Sequence, residues 1–391
     1  MVDTPAAASP LALHLAEKYP GAEWSSDLAQ SLAQGRGRAT VRRFGDAAQE
    51  LHALLSTAAV FDLAHRSLLS IRGGDQQRWL NGMITNTIKD LPVGHSNYSY
   101  VLNAQGRILG DLTACRFPDH ILLVTDETQV AGLAEHFDHF IIMDDVELEK
   151  VQGRAAIGLA GPEAALLLER AGLPLPEGPL TFMDAPDLGS QPVLILQEYG
   201  PVVPRFTLWM AEADAPAFWD RLAVAGMMPA GAEALEMLRL LEGVPHYGVD
   251  FSEKYLPQEV DGSRPLHFNK GCYLGQEIVE RIRSRATVHR QLRVVQLTGT
   301  LPALPAAVQA GEAEAAQAIG EITSAAALPL PGSPRLLGLA MLRNEAIERQ
   351  QTLTYEGGTL RALDAAALTA LRTEILSSAA RQLSPAPQHP A

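Results

Sequence analysis

The sequence predicts an α+β fold, with two units of split βαβ type followed by a small C-terminal β-barrel. Three observations carry this. Strand-period and helix-period runs alternate between residues 45 and 228 in the same order twice, although the halves share too little identity to be a repeat. The period is two through NYSYVLN, RILGDLTACRF and ILLVTD, a strand meander with turns at NAQG and PDH. Residues 291–363 then hold five short strand-like runs separated by turns, the spacing of a small barrel or sandwich.

The elements follow in order. Residues 1 to about 40 are rich in Ala, Gly and Ser with little periodicity and read as a partly ordered arm. From Gly45, the stretch GDAAQELHALLSTAAVFDLAHRS sets Leu51, Leu54, Leu55 and Ala58 on one helical face, with Asp46 as its cap. SLLSIRG reads as a strand, and DQQRWLNGMI as a helix capped by Asp75. After the meander, QVAGLAEHFDHF places Val130, Leu133, Phe137 and Phe140 on one side of a helix. The second unit reads as a strand at AAIGLAG, a helix opened by Pro162, strands at PVLILQE and RFTLWMA, and a helix at APAFWDRLAVAG. An amphipathic helix around AEALEMLRLLEG precedes the strands QLRVVQLTG, QAIGEITSA, RLLGLAML, QTLTYEG and TLRAL. The Pro- and Ala-rich stretch 301–317 reads as a long loop among them, DAAALTALRTEILSSAARQL as a surface helix, and PAPQHPA as a loose end.

Composition narrows the function. At about 150 residues per domain, 391 residues make two or three domains, ample for a buried core. Lys plus Arg is 31 and Asp plus Glu is 45, a net charge of −14 that disfavours nonspecific binding to nucleic acid or anionic lipid. Hydrophobic residues at 47% and charged residues at 19% describe a folded, soluble chain. Cys115 and Cys272 can neither form a disulfide framework nor supply the four thiolates of a zinc or iron-sulfur site. With no signal peptide and no apolar run near the ~18 residues of a membrane span, a cytoplasmic protein is expected. The absence of G-x-x-x-x-G-K-[ST] and G-x-G-x-x-G excludes a P-loop nucleotidase and a flavin or nicotinamide domain. G-x-S-x-G and H-E-x-x-H are also missing, and the eleven histidines never fall in a metal-ligand spacing, so no metal site is expected.

Three segments can carry chemistry. In HFNKGCYLGQEIVERIRSR, residues 267–285, Gly271 and Gly275 put Cys272 in a turn ahead of a helix, with Lys270, one of only five lysines, two residues before it. A helix N-terminus and a nearby ammonium both favour thiolate, so a depressed thiol pKa is expected, with an inert buried cysteine as the plainer reading. In YVLNAQGRILGDLTACRF, a hairpin brings Asp111 close to Tyr98, Tyr100 and Asn103, where its carboxylate could accept a proton from an amine; the alternative is an edge-strand aspartate that ends a hairpin. In LRLLEGVPHYGVDFSEKYLPQE, Arg239 and Tyr247 suit an anionic, planar ligand, against ordinary packing and capping. Arg281, Arg283, Arg285, His289, Arg290 and Arg293 form the one dense basic run, either a solvated face balanced by Glu277 and Glu280 or a polyanion site.

From about residue 50 to 363 the chain resembles the aminomethyltransferase (glycine-cleavage T-protein) fold family. The stretches AVFDLAHRSLLSIRGGDQQRWLNGMITNTI, YVLNAQGRILGDL, LRLLEGVPHYGVDF and GEITSAAALP look like its landmarks, in order. KGCYLGQE, residues 270–277, looks like the signature of the YgfZ-type branch, which includes mitochondrial iron-sulfur assembly factors. The resemblance implies a three-domain cloverleaf around a central channel that binds tetrahydrofolate, closed by the C-terminal barrel. It puts Asp111 at the T-protein's catalytic aspartate, and Arg239 and Tyr247 along the folate channel. Tyr98, Tyr100, Asn103, Tyr273 and Gln276 are expected to join them, and the basic run could hold a polyglutamylated folate. Two departures from T-proteins stand out: Arg205, Phe206 and Thr207 lie where those proteins carry a pterin-gripping glutamate, and their Asp-Asp pair is here Gly110 and Asp111.

The partition that follows is an arm at 1–44, a folate-binding domain at 45–150 that resumes at 229–290, a second α+β domain at 151–228, a barrel at 291–365, and a helix and tail at 366–391. The expected function is that of a tetrahydrofolate-binding accessory protein in iron-sulfur cluster assembly or repair. Cys272 is its key side chain, tuned by Lys270, and iron-sulfur client or assembly proteins are its partners. A monomer is expected. The alternatives are an aminomethyltransferase using Asp111 and a non-catalytic folate-binding scaffold.

Overall fold

The computed structural model describes residues 9–25, 40–260, 263–285, 287–311, 317–330 and 334–383. Two sheets and a barrel form the three lobes. The five-stranded antiparallel sheet runs in the order Ser96–Leu102, Ile108–Arg116, Ile121–Asp126, Arg66–Arg72, Glu147–Lys150. Helices Gln76–Met83 and Glu127–His139 bury Trp79, Leu80, Val130, Leu133 and Phe137 against it, with the Trp79 and Phe137 rings edge to face at 5.6 Å. The period-two pattern of the meander is a direct reading of this sheet, because alternate side chains of a strand share a face.

The six-stranded sheet runs Phe182–Ala185, Val193–Glu198, Arg205–Ala211, Arg154–Ala160, Ala59–Asp62, Met228–Pro229, and only its last pairing is parallel. Helices Ala164–Arg170 and Ala215–Val224 cover it through Leu167, Leu168, Phe218 and Trp219. The third lobe is a closed six-stranded barrel, Arg290–Gly299, Arg335–Arg343, Gln317–Leu328, Ala306–Ala310, Leu353–Tyr355, Gly358–Ala362.

At the junction of the lobes lies the helix Ala232–Glu242, whose Leu238, Leu240 and Leu241 are wholly buried. Gly243 ends it in the left-handed conformation at φ 65°, and a Cβ there would meet Val294 Cγ2 of the barrel at 2.8 Å. One hydrophobic core joins this helix to Leu51, Leu54, Tyr100, Phe251, Leu339 and Ile375, so it draws on both sheets' surroundings, the barrel and the C-terminal helix Ala365–Leu383.

Several expectations are corrected. The helix opened by Asp46, whose Oδ1 accepts the Ala48 N–H at 2.9 Å, covers Ala47–Ser56 and stops there; AVFD is a fully buried strand, because the sheet on either side of it supplies the partners that a helix would make internally. Asp75 sits at the start of its helix but makes no capping hydrogen bond, its carboxylate going to Arg78 and the Asp145 N–H. The stretch expected as a long loop contains the sixth barrel strand, Ala306–Ala310, which alternates buried and exposed residues. The arm contains the helix Pro10–Lys18, which packs beside the helix Ala215–Val224 so that Leu11 and Leu15 join the core of the six-stranded sheet's lobe, and Ser9 caps the start. Residues 1–8 and 26–39 of the arm and the PAPQHPA end lie outside the described residues. Among the described residues, no helix is long and apolar enough to cross a membrane.

Candidate active site between the two sheets

A cavity of about 370 Å³ opens between the five-stranded sheet, the six-stranded sheet and the helix Ala232–Glu242. Asp111 lies in its wall. Hairpin pairing sets Tyr100 opposite Asp111 and Tyr98 opposite Thr113, so the Tyr98 side chain reaches diagonally across the ladder to Asp111. The Tyr98 hydroxyl donates to Asp111 Oδ2 at 2.7 Å, and Gln129 Nε2 donates to Oδ1 at 2.8 Å. Gln129 is held in turn, since its Oε1 accepts the Asp111 N–H at 2.9 Å. Burial and then the Asp111 charge raise the Tyr98 pKa well above its ordinary value, so the phenol stays protonated and remains a donor. Asp111 is therefore an oriented acceptor facing the cavity.

The rest of the wall is mixed in polarity. Arg264 stacks between the rings of Tyr98 and Tyr199, 4.4 and 4.5 Å from their centroids. His246 Nε2 lies 3.7 Å from Asp126 Oδ2, while the Thr128 N–H and hydroxyl take Oδ1. Burial alone would raise the Asp126 carboxyl, but hydrogen bonds from His246 and Thr128 outweigh it and hold it well below the usual carboxylate range. Burial and the neighbouring Arg66 charge push His65 down to about 4, which leaves it neutral near pH 7. A larger recess of about 870 Å³ against the helix Ala47–Ser56 is lined chiefly by apolar residues, with His52 as its one titratable group, so acid-base chemistry points to the smaller cavity.

The other sequence-derived candidates divide. Arg239 lines the cavity, but its guanidinium is bound within the protein: Nε and Nη2 to Glu236, Nη1 to Val244 O and to Asp250 Oδ2 at 2.5 Å, and Nη2 also to Ser324 Oγ. It therefore shapes the wall instead of offering free donors. Tyr100 is wholly buried, edge to face with Phe251 at 5.7 Å, and belongs to the core. Asn103 closes the NAQG turn by accepting the N–H groups of Gln105 and Arg107. Tyr247 packs edge to face on Phe251 and does not line the cavity, whereas its neighbour His246 does.

The KGCYLGQE segment lies outside this cavity's lining. Its helix begins at Gln276, four residues after Cys272, whose side chain is exposed. The Lys270 ammonium is buried and donates to the carbonyls of Ile84 and Asn86 at 2.5 Å each, so it anchors the loop to segment 84–86 instead of tuning the thiol. Burial pushes Lys270 down to about 7. Tyr273 is buried with its pKa raised to about 12, and Gln276 Oε1 accepts the Tyr273 N–H, so both support the loop's shape. The other thiol, Cys115, is fully buried and pushed up by that burial. In the basic run, Arg290 pairs with Glu259, Arg283 pairs with Glu280 and stacks on Phe268, and Arg293 reaches Asn344, the arrangement of a balanced face.

The sequence reading missed Gln129, Asp126, His246, Arg264, Glu198 and Glu242. Asp126, Gln129, Glu198 and Glu242 sit on elements whose pattern was visible and His246 and Arg264 on loops, but nothing in spacing alone brings a helix residue such as Gln129 onto a strand residue such as Asp111.

The family model described as the GCVT N-terminal domain matches residues 14–270. The chain belongs to this family. Among curated proteins it is similar to the aminomethyltransferase of Rubrobacter xylanophilus, 29% identical over 303 residues that cover 76% of this chain and 79% of that one. The aminomethyltransferase of Streptomyces avermitilis is 28% identical over 307 residues, covering 75% and 80%. Among solved structures, the glycine cleavage system aminomethyltransferase T of Bartonella henselae superposes with a TM-score of 0.77 at 20% identity, covering 90% of this chain and 96% of that one. The α+β fold with its closing barrel is thus the aminomethyltransferase fold.

Proposed function

We propose that this GCVT-family protein binds a tetrahydrofolate in the cavity around Asp111 and carries out one-carbon transfer of the aminomethyltransferase type there. The observation that carries the reading is the Asp111 carboxylate, oriented by Tyr98 and Gln129 at 2.7 and 2.8 Å in the wall of a cavity of mixed polarity. The residues fit a folate: the wall offers stacked planar groups in Tyr98, Arg264 and Tyr199, together with buried polar atoms that lack partners among the described residues. The curated relatives named aminomethyltransferase support the same activity.

A bound tetrahydrofolate supplies the amine that takes up a one-carbon unit. Asp111 would hold an N–H of that amine and accept its proton, Tyr98 and Gln129 fixing the carboxylate so that little reorganisation is needed. Tyr98 and Gln129 both donate to the carboxylate, which fixes the direction in which its remaining lone pairs point. The neutral His65 and the Asp126–His246 pair line the same space and set its polarity.

The test combines purified protein, an aminomethyl-loaded lipoyl carrier and tetrahydrofolate, with methylene-tetrahydrofolate and ammonia as readouts. Turnover is expected, and Asp111→Asn is expected to reduce it at least about a hundredfold with the fold intact. Folate binding without turnover would instead favour the non-catalytic scaffold.

One observation favours the YgfZ-type accessory reading as a second possibility. Cys272 is exposed on a loop that Lys270, Tyr273 and Gln276 hold in shape, a display suited to chemistry with a partner protein such as an iron-sulfur client. Iron-sulfur enzyme activities in cells carrying Cys272→Ala, measured under oxidative stress, test it: a fall supports the role, and unchanged activities remove it.

A further inference from the structure

The first turn of the helix Glu127–His139 organises two carboxylates at one end of the five-stranded sheet. Gln129 donates to Asp111 Oδ1, and Asp126 caps the same helix, its Oδ1 accepting the Thr128 N–H at 2.9 Å and the Thr128 hydroxyl at 2.7 Å. The strands that carry Asp111 and Asp126 are neighbours. Thr113 stands opposite Val124, and the same register continued by two residues sets Asp111 beside Asp126. The Thr125 hydroxyl donates to Asp111 O at 2.8 Å and ties that end of the pair together. Both carboxylates line the cavity.

Asp126 Oδ2 is left for His246, whose Nε2 lies 3.7 Å away. The His246 backbone is fixed: its N–H donates to Asp250 Oδ2 at 2.9 Å, and its carbonyl accepts the N–H groups of Val249 and Asp250. Among the described residues no hydrogen bond engages Nδ1, and the side chain is 46% exposed, so a proton spent there is replaced from solvent. The other titratable groups of the wall are committed elsewhere or in the wrong state. The Tyr98 proton is held by Asp111, His65 at about 4 carries none near pH 7, and Glu198, Glu236 and Glu242 face Arg66, Arg239 and Arg205. Histidine is the side chain that holds and releases a proton near neutrality, and ionised Asp126 gives the charged ring a counter-ion.

One-carbon transfer of the proposed kind needs such a donor. Two folate N–H groups lose their protons as two C–N bonds form to the one-carbon unit. The carrier's C–S bond and the unit's own C–N bond break, their electron pairs stay on sulfur and nitrogen, and each of those atoms takes up one proton to leave as thiol and ammonia. Asp111 is the acceptor on the folate side. We infer that His246 is the general acid that protonates the departing amino nitrogen from Nδ1, with Asp126 as the positioning residue that orients the ring through Nε2. The proton that His246 gives up matches one of the two that leave the folate, so the cycle closes without a further reagent. The inference rests on the one-carbon transfer reading and deepens it.

The test uses the full chain with an aminomethyl-loaded lipoyl carrier and tetrahydrofolate, following ammonia and methylene-tetrahydrofolate at steady state. His246→Ala is expected to lower kcat about a hundredfold with KM for tetrahydrofolate within about twofold of wild type, and added imidazole to recover at least about tenfold of the loss. His246→Gln, which keeps a polar side chain of similar reach, is expected to lose the same rate, so the test survives poor folding of the alanine variant. Asp126→Asn retains the helix cap, because asparagine caps as well as aspartate. It is expected to lower kcat about tenfold in wild type and less than about twofold further in His246→Ala, and an undiminished loss there removes Asp126 from its role. Turnover within about threefold of wild type in both His246 variants overturns the inference and leaves the one-carbon reading standing. A loss that imidazole does not recover, or one that falls on KM, assigns His246 to the wall and likewise overturns it. A wild-type chain without turnover overturns the inference and the transfer reading together.

Discussion

Replacing Asp250 by Ala removes a wholly buried carboxylate on which three parts of the fold converge. Arg239 Nη1 reaches Oδ2 at 2.5 Å and the His246 N–H reaches it at 2.9 Å, while the Thr323 and Ser324 hydroxyls of the barrel each donate to Oδ1 at 2.6 Å. Truncating one member of a buried ion pair costs about 3–5 kcal/mol, because the partner's charge stays buried without compensation. Here Arg239 retains two hydrogen bonds to Glu236, and Thr323 has a second acceptor in Leu339 O at 3.2 Å, so we place the cost near the lower end, about 3 kcal/mol. Urea unfolding followed by tryptophan fluorescence reads the loss. Adding Arg239→Met should recover about 1–2 kcal/mol, since it removes the orphaned charge. A loss below about 1 kcal/mol in the single variant, or no recovery in the double, would refute the reasoning.

Two further outcomes are expected. Lys270 titrates at about 7 in the fold and at 10.5 ordinarily, so between those values the unfolded chain holds a proton that the folded chain lacks. Its contribution to stability therefore rises with pH across that window, by at most about 1.4 kcal/mol per pH unit, and is flat below it. Lys270→Met should flatten the wild-type stability curve between pH 7 and 10; an identical slope in the variant counts against the burial argument. At Gly275, φ is +81° and a Cβ would lie 2.6 Å from Asn103 O, so Gly275→Ala should cost about 1–3 kcal/mol in thermal unfolding. Gly271→Ala, also at positive φ but with open space around it, should cost less, and equal losses would show that the close approach is unimportant.

Much of the fold was legible because period and packing coincide. The meander 96–126 exposes one face to helices, so its alternation survives in the sequence. Ala59–Asp62 is buried on both faces and shows no alternation, which is why AVFD merges with the helix before it. Ala306–Ala310 hides among prolines, yet it closes the barrel by pairing with Gln317–Leu328 and Leu353–Tyr355. In the site, Asp111 and Tyr98 could be read together because a hairpin fixes their register. Lys270 and Cys272 are two residues apart, but Lys270 faces inward and Cys272 outward, and sequence proximity could not distinguish that. Gln129, Arg264 and Glu242 meet the cavity through tertiary contacts between distant segments, which no local pattern encodes.

The placement of Ala59–Asp62 has a consequence for the chain as it is made. This strand leaves the ribosome before the whole five-stranded sheet, yet its neighbours in the six-stranded sheet are Arg154–Ala160 and Met228–Pro229. Glu50, just upstream, likewise accepts the N–H of Gly231, near the far end of the second unit. Residues 66–150 can close their sheet as they emerge, while the apolar strand before them stays unpaired until the later segments are synthesised. A ribosome stalled once residue 150 has emerged, but before Met228–Pro229 has, thus holds a nascent chain with one finished sheet and one exposed, sticky edge, the state in which a chaperone has most to protect.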